Sequence, residues 1–161
     1  MKYLWTPWRK KYVLNHEGME GCVFCRALQQ EDGPSNLIVH REKLAFMILN
    51  LYPYTGGHMM VVPNIHKPSI IDLDDETLHE ITGLITHSMQ VANQVYHPEG
   101  YNIGANIGAA AGAGVEQHVH FHIVPRWLGD TNFLSTVGNT RVLPEELEET
   151  YWRLKAAWDQ K

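Results

Sequence analysis

Residues 118–124 carry the sequence His-Val-His-Phe-His-Ile-Val, in which three histidines alternate with apolar residues. Alternate residues of an extended strand share a face, so His118, His120 and His122 are predicted to point to one side and the apolar residues to the other. Three histidines that merely face water are a poor explanation, because any polar residues would serve on a solvated face. The stretch therefore predicts a core strand that carries a ladder of three imidazole rings.

The ladder has two functional interpretations: a metal centre that uses all three histidines, or a nucleophilic histidine beside a phosphate. The second is favoured because residues 106–114 are rich in glycine and alanine, which lets backbone N–H groups approach anionic oxygens. A neutral imidazole is available as a nucleophile near neutral pH. We expect His120 Nε2 to attack, with Nδ1–H held by a backbone carbonyl, and His122 to donate to the bridging or leaving phosphate oxygen. Arg126 and Trp127 end the same strand and are candidates for a phosphate contact and for stacking on a base.

Six further segments of the chain predict the rest of the fold. Strand-like composition bounded by Gly, Pro and Asn occurs at residues 36–40, 43–50, 58–63, 101–107 and 119–125. Residues 72–96 instead place apolar side chains on one stripe of a helix, and residues 144–158 read as a closing helix with Pro144 near its start. Strands with two inserted helices predict an α+β fold: an antiparallel sheet of about five strands, one long central helix and a C-terminal helix.

Length, charge and hydropathy limit the class of protein. The 161 residues, 44% of them hydrophobic, suit one domain with a sizeable core, so we predict a single domain over residues 1–161 with residues 1–20 as an arm packed on it. A net charge of −5 without a basic block argues against binding of nucleic-acid polymers, whereas a small anionic ligand needs only a local pocket. The apolar runs are too short to span a bilayer and the N-terminus lacks the apolar core of a signal peptide. We therefore expect no membrane association and a cytoplasmic location.

Cys22 and Cys25 are the only two cysteines and form a Cys-x-x-Cys pair. In a cytoplasmic chain such a pair is typical of metal binding or redox chemistry rather than of a structural disulfide. A redox pair of the thioredoxin kind follows a strand, and no apolar strand precedes Cys22. Metal binding is therefore the favoured interpretation.

The ladder resembles the signature of the histidine triad superfamily, in which three histidines alternate with apolar residues and two apolar residues follow. With the flanking motifs, nearly the whole chain is similar to the branch that contains bacterial diadenosine tetraphosphate phosphorylases. Those motifs are Leu4-Trp5-Thr6-Pro7-Trp8-Arg9, Leu49-Asn50-Leu51-Tyr52-Pro53, Gly57-His58-Met59-Met60-Val61-Val62-Pro63, Pro125-Arg126-Trp127, Gly129-Asp130-Thr131-Asn132-Phe133 and the run to Pro144.

The resemblance implies a homodimer whose two sheets join, and cleavage of a phosphoanhydride bond of a dinucleoside polyphosphate, such as diadenosine tetraphosphate, through nucleotidyl-His120. It also implies contacts of Asn50 with the ribose, and of Asn106 and the following loop, including Gly112, with phosphate. Gly114 stands where the family usually carries a serine, although its backbone N–H is retained. A nucleotide-binding regulatory protein with little turnover and a nucleoside phosphoramidate hydrolase remain alternatives.

The resemblance also implies a structural zinc site. Some family members bind zinc through a Cys-x-x-Cys pair, the histidine after the Val-x-Pro strand and the first histidine of the ladder. Two thiolates and two imidazoles complete a tetrahedral shell, so a zinc-dependent hydrolase that uses the ladder as ligands is disfavoured. In this sequence the four ligands are Cys22, Cys25, His66 and His118.

Overall fold

The structure is a computed structural model that describes residues 21–130 and 145–160. The predicted N-terminal arm, residues 1–20, and Pro144 lie outside the described residues. No helix in the described ranges combines the length and apolar character needed to cross a membrane. In chain order the elements are α1 (Val23–Leu28), β1 (Ile38–Arg41), β2 (Ala45–Leu49), β3 (Met59–Pro63), α2 (Asp75–Tyr96), β4 (Gly100–Gly104), β5 (Phe121–Arg126) and α3 (Leu147–Trp158), with short 3-10 helices at Ile70–Asp72 and Ala109–Ala111.

The strands form a five-stranded antiparallel sheet in the order β1-β2-β3-β5-β4. This sheet, the long α2 and the C-terminal α3 confirm the predicted α+β fold, and the predicted strands match to within three residues at each end. β2 and β3 are buried along their whole length, as expected of continuous apolar sequences that are covered on both faces. α2 packs on β2, β3 and β5, while α3 packs on β1 and on α2.

The central helix α2 begins and ends at clear local signals. The Asp74 side chain caps its start by accepting the Thr77 N–H at 2.8 Å, and Asp75 and Glu76 place negative charge at the positive end of the helix dipole. The helix ends where His97 adopts a left-handed conformation with φ 47°. The apolar stripe predicted from the sequence is the face that packs on the sheet.

The histidine ladder differs from its predicted form. β5 begins at Phe121, two residues later than the predicted start at Val119, so His118 and His120 precede the strand and His122 lies on it. The prediction of three histidines on one regular strand face was therefore wrong in detail. The rings nevertheless remain close together, because the backbone that leads into β5 runs beside the end of β3.

Backbone groups that would pair β3 with a longer β5 make other hydrogen bonds instead. β5 pairs with β3 as far as Val61. Beyond that residue the Pro63 carbonyl accepts from His118 Nε2 at 2.9 Å, and the Val119 N–H donates to the Lys67 carbonyl at 2.7 Å. The Val119 N–H is thereby used outside the sheet and the Pro63 carbonyl bonds the His118 ring, so the pairing of β3 with β5 does not extend to these residues.

Candidate active site and metal-ligand cluster

Five histidine rings lie in a row beside the sheet. His118, His120 and His122 come from the segment at the start of β5, while His58 stands directly before β3 and His66 follows it. Ring centroids are 4.9 Å apart for His66 and His118, 4.9 Å for His120 and His122, and 5.2 Å for His122 and His58. The row runs from the Cys-x-x-Cys pair at one end to the turn of residues 51–57 at the other.

His120 is held in one tautomer. Its Nδ1 lies 2.9 Å from the carbonyl oxygen of His118, and a carbonyl can only accept, so the proton is on Nδ1 and Nε2 carries the lone pair. The ring is 4% exposed, and this burial lowers the pKa of His120, which keeps the imidazole neutral near neutral pH. A carbonyl acceptor of this kind was expected from the sequence, and it leaves Nε2 as the nucleophilic atom.

A chain of hydrogen bonds gives His122 the opposite tautomer. The backbone N–H of Tyr54 donates to His58 Nδ1 at 3.1 Å, so the proton of His58 must be on Nε2. His58 Nε2 lies 3.0 Å from His122 Nδ1 and donates to it, which places the His122 proton on Nε2. Burial, followed by the neighbouring His120, lowers the pKa of His122 to about 4. His122 is therefore a neutral donor beside a neutral nucleophile.

Two aromatic rings flank the histidines. Phe24 of α1 packs against His120 with centroids 5.0 Å apart, and Tyr54 packs against His58 at 4.6 Å. Sequence reasoning assigned no role to Phe24, Tyr54 or His58. The available signal was weak: His58 is a polar residue that directly precedes a fully apolar strand, and the contacts of all three depend on tertiary packing.

The four predicted metal ligands come together at the other end of the row. The Sγ atom of Cys22 lies 3.3 Å from His118 Nδ1, and that of Cys25 lies 3.3 Å from His66 Nδ1; all four ligand atoms lie within 4.8 Å of one another. A tetrahedral zinc would separate sulfur and nitrogen ligands by about 3.6 Å, given its usual bond lengths. The arrangement therefore fits a small cation with two sulfur and two nitrogen ligands.

Helix α1 and the protonation of His118 both favour such a site. α1, which was not predicted from the sequence, begins directly after Cys22 and carries Cys25 in its first turn. His118 Nε2 donates to the Pro63 carbonyl, so Nδ1 presents its lone pair to the two sulfur atoms. Burial lowers the pKa of His118, which also keeps the ring in the neutral form that metals bind.

The glycine and alanine loop before the histidines is bonded largely to itself. Gly108 and Gly112 have positive φ angles of 80° and 81°, and the N–H groups of Ala111, Gly112 and Ala113 donate to carbonyls of Gly108 and Ala109. Within the described part of the chain, the N–H of the exposed Gly114 has no acceptor. In a phosphate-binding loop of the predicted kind, the Gly114 N–H would therefore be available to a phosphate oxygen, whereas the N–H groups of the three preceding residues already donate within the loop.

The other residues predicted to contact the ligand lie at the end of β5, after β2 and after β4. Arg126 donates to both carboxylate oxygens of Asp130, at 2.6 and 2.8 Å, and to Asn102 at 2.6 Å, so its guanidinium is engaged within the protein. Trp127 is half-buried, and its backbone N–H donates to Asp130 Oδ2 at 3.2 Å. Asn50 follows β2, and its Oδ1 accepts the Tyr52 N–H at 2.9 Å. Asn106 is half-buried between β4 and the loop.

The chain is similar to known proteins in sequence and in fold. The family model described as the HIT domain matches residues 30–127. An AP-4-A phosphorylase of Mycobacterium tuberculosis is 36% identical over 98% of this chain and 85% of its own length. An adenosine 5'-monophosphoramidase of Schizosaccharomyces pombe is 32% identical over 65% of this chain and 74% of its own length. A crystal structure of a Zn-bound histidine triad family protein from Mycobacterium smegmatis has a TM-score of 0.70 and 30% identity, covering 87% of this chain and 94% of that protein. The chain therefore belongs to the histidine triad (HIT) family and is an enzyme of its nucleotidyltransferase and hydrolase type.

Proposed function

We propose that the protein cleaves phosphoanhydride bonds of dinucleoside polyphosphates, such as diadenosine tetraphosphate, through a nucleotidyl-His120 intermediate. The observation that carries the proposal is the hydrogen bond from His120 Nδ1–H to the His118 carbonyl, which leaves a neutral Nε2 lone pair beside the donor His122. The similarity to the mycobacterial AP-4-A phosphorylase over almost the full chain supports this substrate class.

The first half-reaction forms one bond and breaks another. His120 Nε2 attacks the phosphorus of the adenylyl group, the P–N bond forms, and the anhydride P–O bond breaks with its electron pair leaving on ATP. ATP departs as an anion, so His122 needs only to donate a hydrogen bond from Nε2–H and does not have to lose its proton. This role suits the low pKa of His122, which is about 4 because of burial.

The second half-reaction regenerates the histidine. An oxygen of inorganic phosphate attacks the same phosphorus, the P–N bond breaks, its electron pair returns to Nε2, and ADP is released. Water as the acceptor gives AMP and a proton instead. Throughout both steps the His118 carbonyl holds Nδ1–H, so it orients the ring and stabilises the positive charge that develops on it.

We propose contacts for the nucleotide on the same side of the site. Asn50, at the end of β2, would meet the ribose, and Asn106 with the loop through Gly112 and Gly114 would meet phosphate. The Gly114 N–H, which has no acceptor among residues 21–130 and 145–160, supports its part in this assignment, because a backbone donor can replace the serine hydroxyl that is common at this position.

We further propose that Cys22, Cys25, His66 and His118 hold a structural zinc ion. Their spacing fits a closed tetrahedral shell, and a related Zn-bound structure supports the choice of metal. Bound zinc would supply a cross-link between α1, the segment after β3 and the segment before β5, with no position open for a substrate.

Incubation with diadenosine tetraphosphate, with and without inorganic phosphate, tests the proposed activity. ADP with ATP formed only when phosphate is present identifies a phosphorylase, and AMP with ATP identifies a hydrolase. His120→Ala should lower the rate by at least about 10³-fold and abolish acid-labile labelling of the protein by the adenylyl group. Tight AMP binding with no turnover and no labelling in the wild type would instead identify a regulatory nucleotide-binding protein.

A second candidate function is hydrolysis of nucleoside phosphoramidates, which the similarity to a monophosphoramidase favours. The same nucleophile would serve, but an amine leaving group must gain a proton, and a neutral His122 is a weak acid for that purpose. Comparison of kcat/KM for adenosine 5'-phosphoramidate and diadenosine tetraphosphate decides between the two candidate functions. A higher value for the phosphoramidate would make it the preferred substrate class.

A further inference from the structure

Tyr54 closes the histidine row at the end opposite the cysteines. Its ring packs on His58 with centroids 4.6 Å apart at 35°, and on His122 at 6.0 Å and 29°. Tyr54 itself is 44% exposed, whereas His58 is 1% exposed. The tyrosine ring therefore lies between the hydrogen-bonded pair of imidazoles and the solvent.

The backbone of the same residue fixes the donor chain. The Tyr54 N–H donates to His58 Nδ1 at 3.1 Å, and this bond is what directs the His58 proton to Nε2 and toward His122. Tyr54 thus acts on the pair in two ways, because its ring limits where the imidazoles can rotate and its N–H determines where their protons reside.

The turn that carries Tyr54 is held at both ends. Thr55 Oγ1 donates to the Pro125 carbonyl on β5 at 2.9 Å, and the Gly57 backbone lies so close to the Tyr96 ring that a Cβ on Gly57 would be 2.8 Å from it. These contacts tie the turn to the strand that bears His122 and to the end of α2. A turn held in this way can position a ring with the accuracy that catalysis requires.

We propose that Tyr54 is a positioning residue that holds His122 in the orientation needed to donate its Nε2–H to the leaving oxygen, an inference that rests on the proposed nucleotidyl transfer to His120. The ring faces make the contacts with the two imidazoles, so the aromatic ring rather than the hydroxyl carries this role. Phenylalanine should therefore replace tyrosine at this position, whereas a small residue should not.

Kinetics of three variants test the proposal. Tyr54→Ala should lower kcat for diadenosine tetraphosphate by about 10- to 100-fold with little change in KM, because donor geometry and not ground-state binding is lost. Tyr54→Phe should stay within about 3-fold of the wild type, since it keeps the ring contacts. Tyr52→Ala is the matched control, because Tyr52 lies on the same turn and is 50% exposed; it should keep the wild-type kcat.

A measurement without substrate separates this inference from the proposed activity. Long-range ¹H–¹⁵N correlation spectra of the imidazoles should show the Nε2–H tautomer of His122 in the wild type and in every Tyr54 variant, because each keeps the backbone N–H of residue 54. The His122 ring signals should broaden in Tyr54→Ala but not in Tyr54→Phe, because only alanine removes the ring that limits rotation of the imidazoles. Thermal unfolding checks that each variant is folded, and Tyr54→Leu replaces Tyr54→Ala if alanine prevents folding. Wild-type His122 ring signals and wild-type kcat in both Tyr54→Ala and Tyr54→Leu would overturn the proposal, as would equal impairment of Tyr54→Phe and Tyr54→Ala.

Discussion

The chemistry of three neighbouring imidazoles differs because each ring has different hydrogen-bond partners. His120 gives its Nδ1 proton to a carbonyl and keeps a lone pair at Nε2, while His122 receives a proton at Nδ1 and offers one from Nε2. His118 uses Nε2 to bond the Pro63 carbonyl and turns Nδ1 toward the cysteines. Residues of one type thereby become candidate nucleophile, donor and metal ligand.

Replacement of His58 should test the donor chain directly. His58→Leu removes the bond to His122 Nδ1 and should lower kcat by about 10²-fold, because the His122 ring loses its fixed tautomer. His58→Gln can still place an N–H near the position of Nε2 and should recover part of that loss. The measurement is steady-state cleavage of diadenosine tetraphosphate, and equal rates for His58→Leu and the wild type would contradict the donor chain.

At the scale of elements, the active-site histidines are positioned by segments that flank the strands rather than by the strands alone. The turn of residues 51–57 holds His58 from one side, and α1 places Phe24 against His120 from the other. Both segments are short, so their positions depend on close contacts to neighbouring elements.

Gly57→Ala should reveal how closely the turn is packed. Gly57 has φ 69° and its Cβ would lie 2.8 Å from the Tyr96 ring, so we expect a loss of about 2–4 kcal/mol in the free energy of unfolding. Gly108→Ala is the control, since Gly108 has φ 80° but open space around its Cβ; backbone strain alone should cost about 1 kcal/mol. Denaturant unfolding measures both, and equal losses would show that the contact with Tyr96 contributes nothing.

Removal of the proposed zinc should loosen the link between α1 and the histidine segment. Metal analysis should find one zinc per chain in the wild type and none in Cys25→Ser. Chelation of the wild type should lower Tm by about 5–10 °C, because the metal binds the folded state alone, and added zinc should restore it. Added zinc should leave the Tm of Cys25→Ser unchanged, and a chelator-insensitive Tm in the wild type would argue against a structural ion.

The whole molecule buries several imidazoles in a small domain, and this has a consequence for stability at acid pH. Burial gives His122 a folded pKa of about 4, below the unfolded value of about 6.5. Below about pH 6.5 the unfolded chain therefore binds a proton that the folded chain does not, and stability falls as the pH falls.

We expect His122 alone to account for about 2–3 kcal/mol of stability lost between about pH 6.5 and pH 4. Denaturant unfolding at a series of pH values measures this loss. His122→Gln should flatten the slope in that window, whereas His79→Gln, which replaces an exposed histidine of α2, should keep it. The same slope in the wild type and in His122→Gln would contradict the expectation.

The homodimer implied by the family resemblance is a prediction at this same scale. β4 forms one edge of the described sheet, and its Ile103 is 47% exposed, so this edge is a candidate for joining two sheets. Sedimentation velocity at micromolar concentration should give a dimer for the wild type, and Ile103→Lys should shift it toward monomer. A monomeric wild type would exclude the dimer under those conditions.

Much of the fold and of the candidate site could be predicted from local sequence. Alternating or continuous apolar runs predicted the strands, the apolar stripe with its acidic start predicted α2, and the run at residues 118–122 indicated the family and the proposed nucleophile. These signals are readable because strand and helix periodicity, helix capping and imidazole chemistry are properties of residues and near neighbours. The resemblance to the family also named the four cysteine and histidine ligands that the fold brings together.

Only the tertiary structure determined the hydrogen bonds between segments that are distant in the sequence. The start of β5 at Phe121 depends on carbonyls of Pro63 and Lys67, and the tautomer of His122 depends on His58 and on the Tyr54 N–H. A sequence pattern cannot report these bonds, because a carbonyl or an N–H is present at almost every residue and its partner is chosen only when the chain packs. The sequence by itself therefore determined which side chains could react, and folding determined which atom of each one faces the substrate.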